Sequence, residues 1–270
     1  MKSVQQRLSA LREAMKKHGV DAFVIPSADP HLSEYLPEHW QARRDFSGFT
    51  GSAGTLVVTA DKAGVWTDSR YWEQAAHQLQ GSGIELQKVG EVAPYTDWLA
   101  AELPNGAAAG AAADMLSLTA KRQLETAFAA KTIRLDVSRD IADTVWTGRP
   151  ALPQETVFPH DAAFVSETAA AKLARVRAAM KEQGAAWHLI SSLDDTAWLT
   201  NLRGSDVPYD PIFLSYLLIS GKETTLFVDE AKLDADSKKV LADAHVAVAP
   251  YADVGKAVAK LSGSLLINPD

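Results

Sequence analysis

Asp68 and Arg70 stand two residues apart in Trp66-Thr-Asp68-Ser-Arg70-Tyr71. On extended backbone that spacing puts both side chains on one face. A carboxylate beside a guanidinium holds the planar fork in one pose and leaves other N–H groups for a carboxylate or peptide carbonyl. Tyr71 follows directly. The same residues could equally form an ordinary exposed salt bridge at a strand end. Arg203, in Asn201-Leu-Arg-Gly-Ser-Asp206, presents the same choice.

Other candidate chemistry is weaker. The chain has no cysteine, which excludes disulfides, Cys-ligated zinc and a thiol nucleophile. Gly48-Phe-Thr-Gly51-Ser-Ala-Gly54 lacks the Gly-Lys-Ser/Thr end of a P-loop and runs into a β-rich segment, so it reads as a tight structural turn. His31, Glu34, Glu38 and His39 do not have His-Glu-x-x-His spacing, and Pro37 interrupts them. Asp194, Asp195, Asp206 and Asp210 match no calcium loop, and Pro208 and Pro211 favour a turn there. No metal-ligand set and no catalytic triad emerges.

A formal net charge of −7 argues against a nucleic-acid partner, which needs a clustered basic surface. No apolar run approaches the ~20 residues of a membrane span. The N-terminus enters a charged amphipathic segment at once and is not a secretory signal.

These residues must be positioned by elements, and the elements repeat. Leu8, Arg12, Met15-Lys16 and Gly19 recur as Leu173, Arg177, Met180-Lys181 and Gly184, at a constant offset of 165. The offset becomes 161 at Leu56/Leu217, Trp66/Phe227 and Asp68/Asp229, and 156 at Tyr95/Tyr251. A repeat this long means two copies of one domain. Periodicity and punctuation predict, in the first copy, a helix capped by Ser3 and stopped by Gly19, then a strand over 21–25. Residues 27–47 read as a long loop or short helix. A hairpin follows over 55–67, then a helix 71–79, strand 84–89 and helix 95–103. The run Ala107 to Ala113 reads as glycine-punctuated. Leu118 to Lys131 is helix-like, and Ile133 to Val137 is a short apolar segment. The second copy reads as helix 168–183, strand 187–191, loop 193–211, strands 213–219 and 224–228, helix 230–243, strand 245–249, helix 251–261 and strand 264–267. Alternating helices and strands with one hairpin per copy predict an α/β domain with a mixed sheet. The expected division is a first domain over 1–150, a proline-rich linker over 151–160 and a second domain over 161–270. The second copy offers no counterpart to residues 115–137, so it is expected to be incomplete at its C-terminal end.

Six segments together resemble one family: IPSADPHLSEY (25–35), RRDFSGFTGSAGT (43–55), WTDSRY (66–71), VWTGRP (145–150), LDDTAWLTNLRGSDV (193–207) and DPIFLSY (210–216). They look like the N-terminal half of cytosolic Xaa-Pro aminopeptidases, the long-form aminopeptidase P enzymes of the creatinase/prolidase group. The resemblance implies two creatinase N-terminal-like, ribonuclease H-like domains. It implies a cytoplasmic, homodimeric enzyme that removes the N-terminal residue preceding proline. Two divalent ions, typically manganese, would be held in a third, pita-bread domain, whose motifs do not occur in this sequence. The ions would supply hydroxide and oxyanion stabilisation there. The resemblance assigns Arg70 to peptide binding, with Asp68, Tyr71 and Arg203 in support, and assigns the two domains to substrate gating and dimer support. The alternative expectation is a catalytically dead, peptidase-like protein-binding module.

Overall fold

Ser3 starts the first helix in the way its residue type dictates. Its hydroxyl accepts the Gln6 N–H at 3.2 Å, and the Gln6 side chain accepts the Ser3 N–H at 2.9 Å. This capping box satisfies two donors that the helix itself cannot. Gly19, at φ 65°, closes the helix in the left-handed region.

The computed structural model describes residues 2–270. They form two units, one running to Ala151 and taking in Pro269–Asp270, the other Leu152–Asn268. In chain order, the first unit contains α1 (Val4–His18), β1 (Ala22–Pro26), α2 (Ala42–Ser47), β2 (Thr55–Thr59), β3 (Ala63–Thr67) and α3 (Trp72–Gln78). It continues with β4 (Glu85–Lys88), α4 (Tyr95–Glu102), β5 (Ala108–Ala111), α5 (Leu118–Phe128) and β6 (Arg134–Asp136). The sheet order is β4-β3-β2-β1-β5-β6. It is mixed: β1 runs antiparallel to β2 and parallel to β5. Alternation along β1 feeds both faces. Phe23 and Ile25 pack with Leu8, Leu11, Met15 and Phe46 on one face. Ala22 and Val24 pack with Leu99, Leu124 and Phe128 on the other.

The second unit contains β7 (Phe158–Pro159), α6 (Ala169–Glu182), β8 (Trp187–Ile190), α7 (Leu193–Thr200), β9 (Leu202–Arg203) and β10 (Tyr216–Ser220). These are followed by β11 (Thr224–Phe227), α8 (Ala235–Asp243), β12 (Ala247–Ala249), α9 (Val254–Val258) and β13 (Leu265–Leu266). Its main sheet has the order β12-β11-β10-β8-β13, and β7 pairs with β9. The sequence offsets are also pairing registers. Ala22 pairs with Thr59 and with Ala109. Offsets of 165, 161 and 156 carry these to Trp187, Ser220 and Leu265, and Trp187 pairs with both.

Three local readings are incomplete. The alanine run holds a central strand, β5, which propensity hides because alanine is depleted in strands. Small side chains fit there because Ala109 and Ala111 lie under Leu124 and Phe128. The expected loop over 193–211 begins with a helix, α7. Ser192 caps it, accepting the Asp195 N–H at 3.3 Å. Asp194 and Asp195 therefore occupy a helix's first turn, where carboxylates oppose the macrodipole. Third, the proline-rich stretch is not wholly irregular: Phe158–Pro159 pairs with Leu202–Arg203.

Candidate functional site

The first unit carries a cleft of about 550 Å³ at one end of its sheet. It opens where β1 and β3 end and β2 begins, at Pro26, Thr67 and Thr55. Carboxyl ends of strands are the usual place for ligands in open α/β sheets.

Asp68 and Arg70 line this cleft. Their pairing does not arise from extended backbone. Asp68 ends the strand segment and caps a one-turn 3₁₀ helix, Ser69–Tyr71, accepting the Arg70 N–H at 3.1 Å. The cap turns the chain so that the Arg70 side chain folds back on its own capping residue. Arg70 Nε donates to Asp68 Oδ1 at 2.8 Å and Nη2 donates to Oδ2 at 2.9 Å. The Arg70 side chain is 64% exposed, and its Nη1 makes no hydrogen bond among the described residues. The Arg70 hydrogen bond holds the Asp68 carboxyl below the ordinary carboxylate range, and the same contact holds Arg70 above its usual value. Tyr71 backs the pair: the Arg70 guanidinium lies 5.3 Å from its ring centroid. Its hydroxyl meets Ser52 Oγ at 2.7 Å.

The glycine turn also lines the cleft, through Ser52, Ala53 and Gly54, and a residue that sequence reasoning passed over holds it. Arg43 is 5% exposed. It donates to Ser27 Oγ at 2.8 Å, to the Phe49 carbonyl at 2.7 Å and to the Gly51 carbonyl. It also lies 4.7 Å from the Phe49 ring centroid. Burial pulls its guanidinium down to about 10. Gly51 is glycine because a Cβ would overlap the Phe49 ring and approach Tyr71 Cδ1 at 2.8 Å. Thr67 Oγ1 donates to the Ala53 carbonyl at 2.7 Å, tying turn to strand. On the far side, Trp66 Nε1 donates to the Ala93 carbonyl at 3.0 Å, and burial raises the Tyr95 phenol.

Arg203 lies in the other unit. Its Nη1 donates at 2.8 Å to the carbonyls of Ala197 and Leu202, closing the end of α7. His31 and His39 both make edge contacts with Trp40, and His39 Nδ1 lies 2.7 Å from the Pro150 carbonyl. Among the described residues no three His, Asp or Glu side chains gather as a metal site. No helix among them is long and apolar enough to cross a membrane.

Comparison with known proteins gives the same match in both units. Residues 7–143 and residues 148–270 each match a Creatinase/Prolidase N-terminal domain. The chain is 39% identical over 253 residues to a protein of Ajellomyces capsulatus described as a probable Xaa-Pro aminopeptidase P, covering 92% of this chain and 41% of that one. It is 40% identical over 262 residues to a Neurospora crassa protein of the same description, covering 93% and 37%. It spans about two fifths of the length of these relatives. The crystal structure of an X-prolyl aminopeptidase from Caenorhabditis elegans, described as a cytosolic enzyme with a di-nuclear active site, superposes with a TM-score of 0.93. That likeness is at 29% identity and covers 100% of this chain and 47% of that one.

Proposed function

The chain belongs to the creatinase/prolidase N-terminal domain family, with one copy in each unit, and on that premise we propose that it is the substrate-side part of an Xaa-Pro aminopeptidase. The activity proposed for the whole enzyme is removal of the residue preceding proline from a peptide's N-terminus, in the cytoplasm and as a homodimer. Two divalent ions, manganese by the family resemblance, would serve that activity, and the same resemblance places them in residues outside this chain. The relative with a di-nuclear active site supports the two-ion reading.

The observation that carries the reading is the Asp68–Arg70 pair at the cleft. Asp68 takes one edge of the guanidinium fork, through Nε and Nη2, and leaves Nη1 free. A fork fixed in this way donates to a peptide carbonyl or carboxylate without having to order itself first. The role is orientation: Arg70 holds the peptide so that its scissile end reaches the reacting centre, and it breaks no bond itself. Asp68 is a positioning residue for Arg70, and Tyr71 is its packing support.

The test is Arg70→Ala in the complete enzyme with an Xaa-Pro peptide. Losing a charge-assisted hydrogen bond should lower kcat/KM roughly tenfold to a hundredfold. Metal content should stay unchanged, and Arg70→Lys should restore only part of the loss. Wild-type kinetics in Arg70→Ala would overturn the assignment.

A further inference from the structure

The repeat has copied the cleft as well as the fold. Asp229 stands where Asp68 stands, at the end of β11, and caps a 3₁₀ turn by accepting the Ala231 N–H at 3.1 Å. An offset of 156 carries Val92-Ala93-Pro94-Tyr95 to Val248-Ala249-Pro250-Tyr251. Between Asp229 and this segment lies a second cleft, of about 410 Å³.

The copy has changed sign. The place of Arg70 is taken by Ala231, so no guanidinium faces the carboxylate. Asp229 is half-buried and enters no ion pair among the described residues. Lys232 is the one basic side chain in the lining, and it is committed elsewhere: its ammonium is buried against the Asp206 carboxylate. Glu230 is bound at the rim to Lys238 at 3.0 Å. The walls are apolar, formed by Leu152, Pro153, Leu214 and Pro250, with Tyr251 stacked on Tyr216 at 5.4 Å. The first cleft presents a spare N–H donor. The second presents a spare carboxylate above an apolar pocket.

We infer that this second cleft binds a protonated primary amine carrying an apolar side group. Asp229 accepts the ammonium, and the Leu152, Leu214 and Pro250 walls take the apolar part. A free amino acid fits poorly, because its own carboxylate would lie in the same small cavity as Asp229 and Glu230. An amine or amino-acid amide fits. The inference does not depend on peptide binding at Arg70.

The test is an NMR titration of the amide-labelled 270-residue chain with leucinamide at about pH 6, where an α-amine is protonated. The control is 4-methylpentanamide, which has the same shape and no amine. Leucinamide should shift Asp229, Ala231 and Tyr251 saturably, and the control should not. Asp229→Asn keeps the cap but removes the charge, so affinity should fall about tenfold. Ala231→Arg, at an exposed position, should rebuild the clamp and abolish binding. Asp68→Asn should leave binding unchanged. Equal response to the neutral control, indifference to Asp229→Asn, shifts confined to the first cleft, or no saturation up to ~10 mM would each overturn the inference.

Discussion

At the scale of single residues, the site depends on which partners each charge has. Arg70 has a carboxylate and remains exposed. Arg43 is buried with only neutral acceptors, and it is the better anchored of the two. Three hydrogen bonds to neutral groups offset part of its desolvation, and the lowered guanidinium records the remainder. The Asp68–Arg70 pair makes a pH prediction whose sign is definite. Asp68 is depressed in the folded state, chiefly by its hydrogen bond from Arg70. Its stabilising contribution is therefore fully present above the unfolded carboxyl value of about 3.9 and is lost as pH falls through the lower folded value. Carboxyl-detected NMR should find Asp68 titrating below that reference, with no change across pH 5 to 9. Arg70→Ala should move it back up, and an unmoved titration would show that the pair is not formed in solution. The clamp was legible because its two members are two apart. Arg43 was not, because nothing in the sequence shows which carbonyls a folded loop will expose.

At the scale of elements, competing preferences decide what the sequence hides. β5 is written in alanine and glycine, which strands disfavour, yet it is hydrogen-bonded on both sides. Space explains the choice. A Cβ on Gly110 would lie 2.8 Å from Phe23 Cδ2 and 3.1 Å from Val20 Cγ1. Gly110→Val puts the two effects in opposition. Strand propensity would favour valine by up to ~1 kcal/mol. Overpacking against a fixed core ring costs ~1–3 kcal/mol. The net expectation is destabilisation of the first unit by ~1–2 kcal/mol in urea unfolding; a gain in stability would mean that Phe23 and β1 yield easily. α7 was hidden for a different reason. Its buried Leu193, Thr196, Ala197 and Thr200 follow helical spacing, but the flanking aspartates and prolines resemble a turn. The capping serine, with acids behind it, was the signal.

At the scale of the whole molecule, the duplication is the most legible feature, because the offset between copies is also the pairing register. Conserving register conserves which side chains face inward. Leu56 and Leu217 are equivalent by the 161 offset, and each is 0% exposed. Leu56 sits in a core cluster drawn entirely from the first unit. Truncating either leucine to alanine should cost ~2–5 kcal/mol, from lost burial and the cavity left behind. A chain of two units need not unfold in one step. Leu56→Ala should lower the transition of the first unit, and Leu217→Ala that of the second, with each leaving the other nearly in place. Unit-resolved hydrogen exchange would follow both. If either substitution loosens amides in both units to the same extent, the two copies share one cooperative unit despite having separate sheets. If the effects separate, each copy carries its own stability. In that case the second copy can carry Ala231 where the first has Arg70, leaving the Asp229 carboxylate to a different ligand, without disturbing the first.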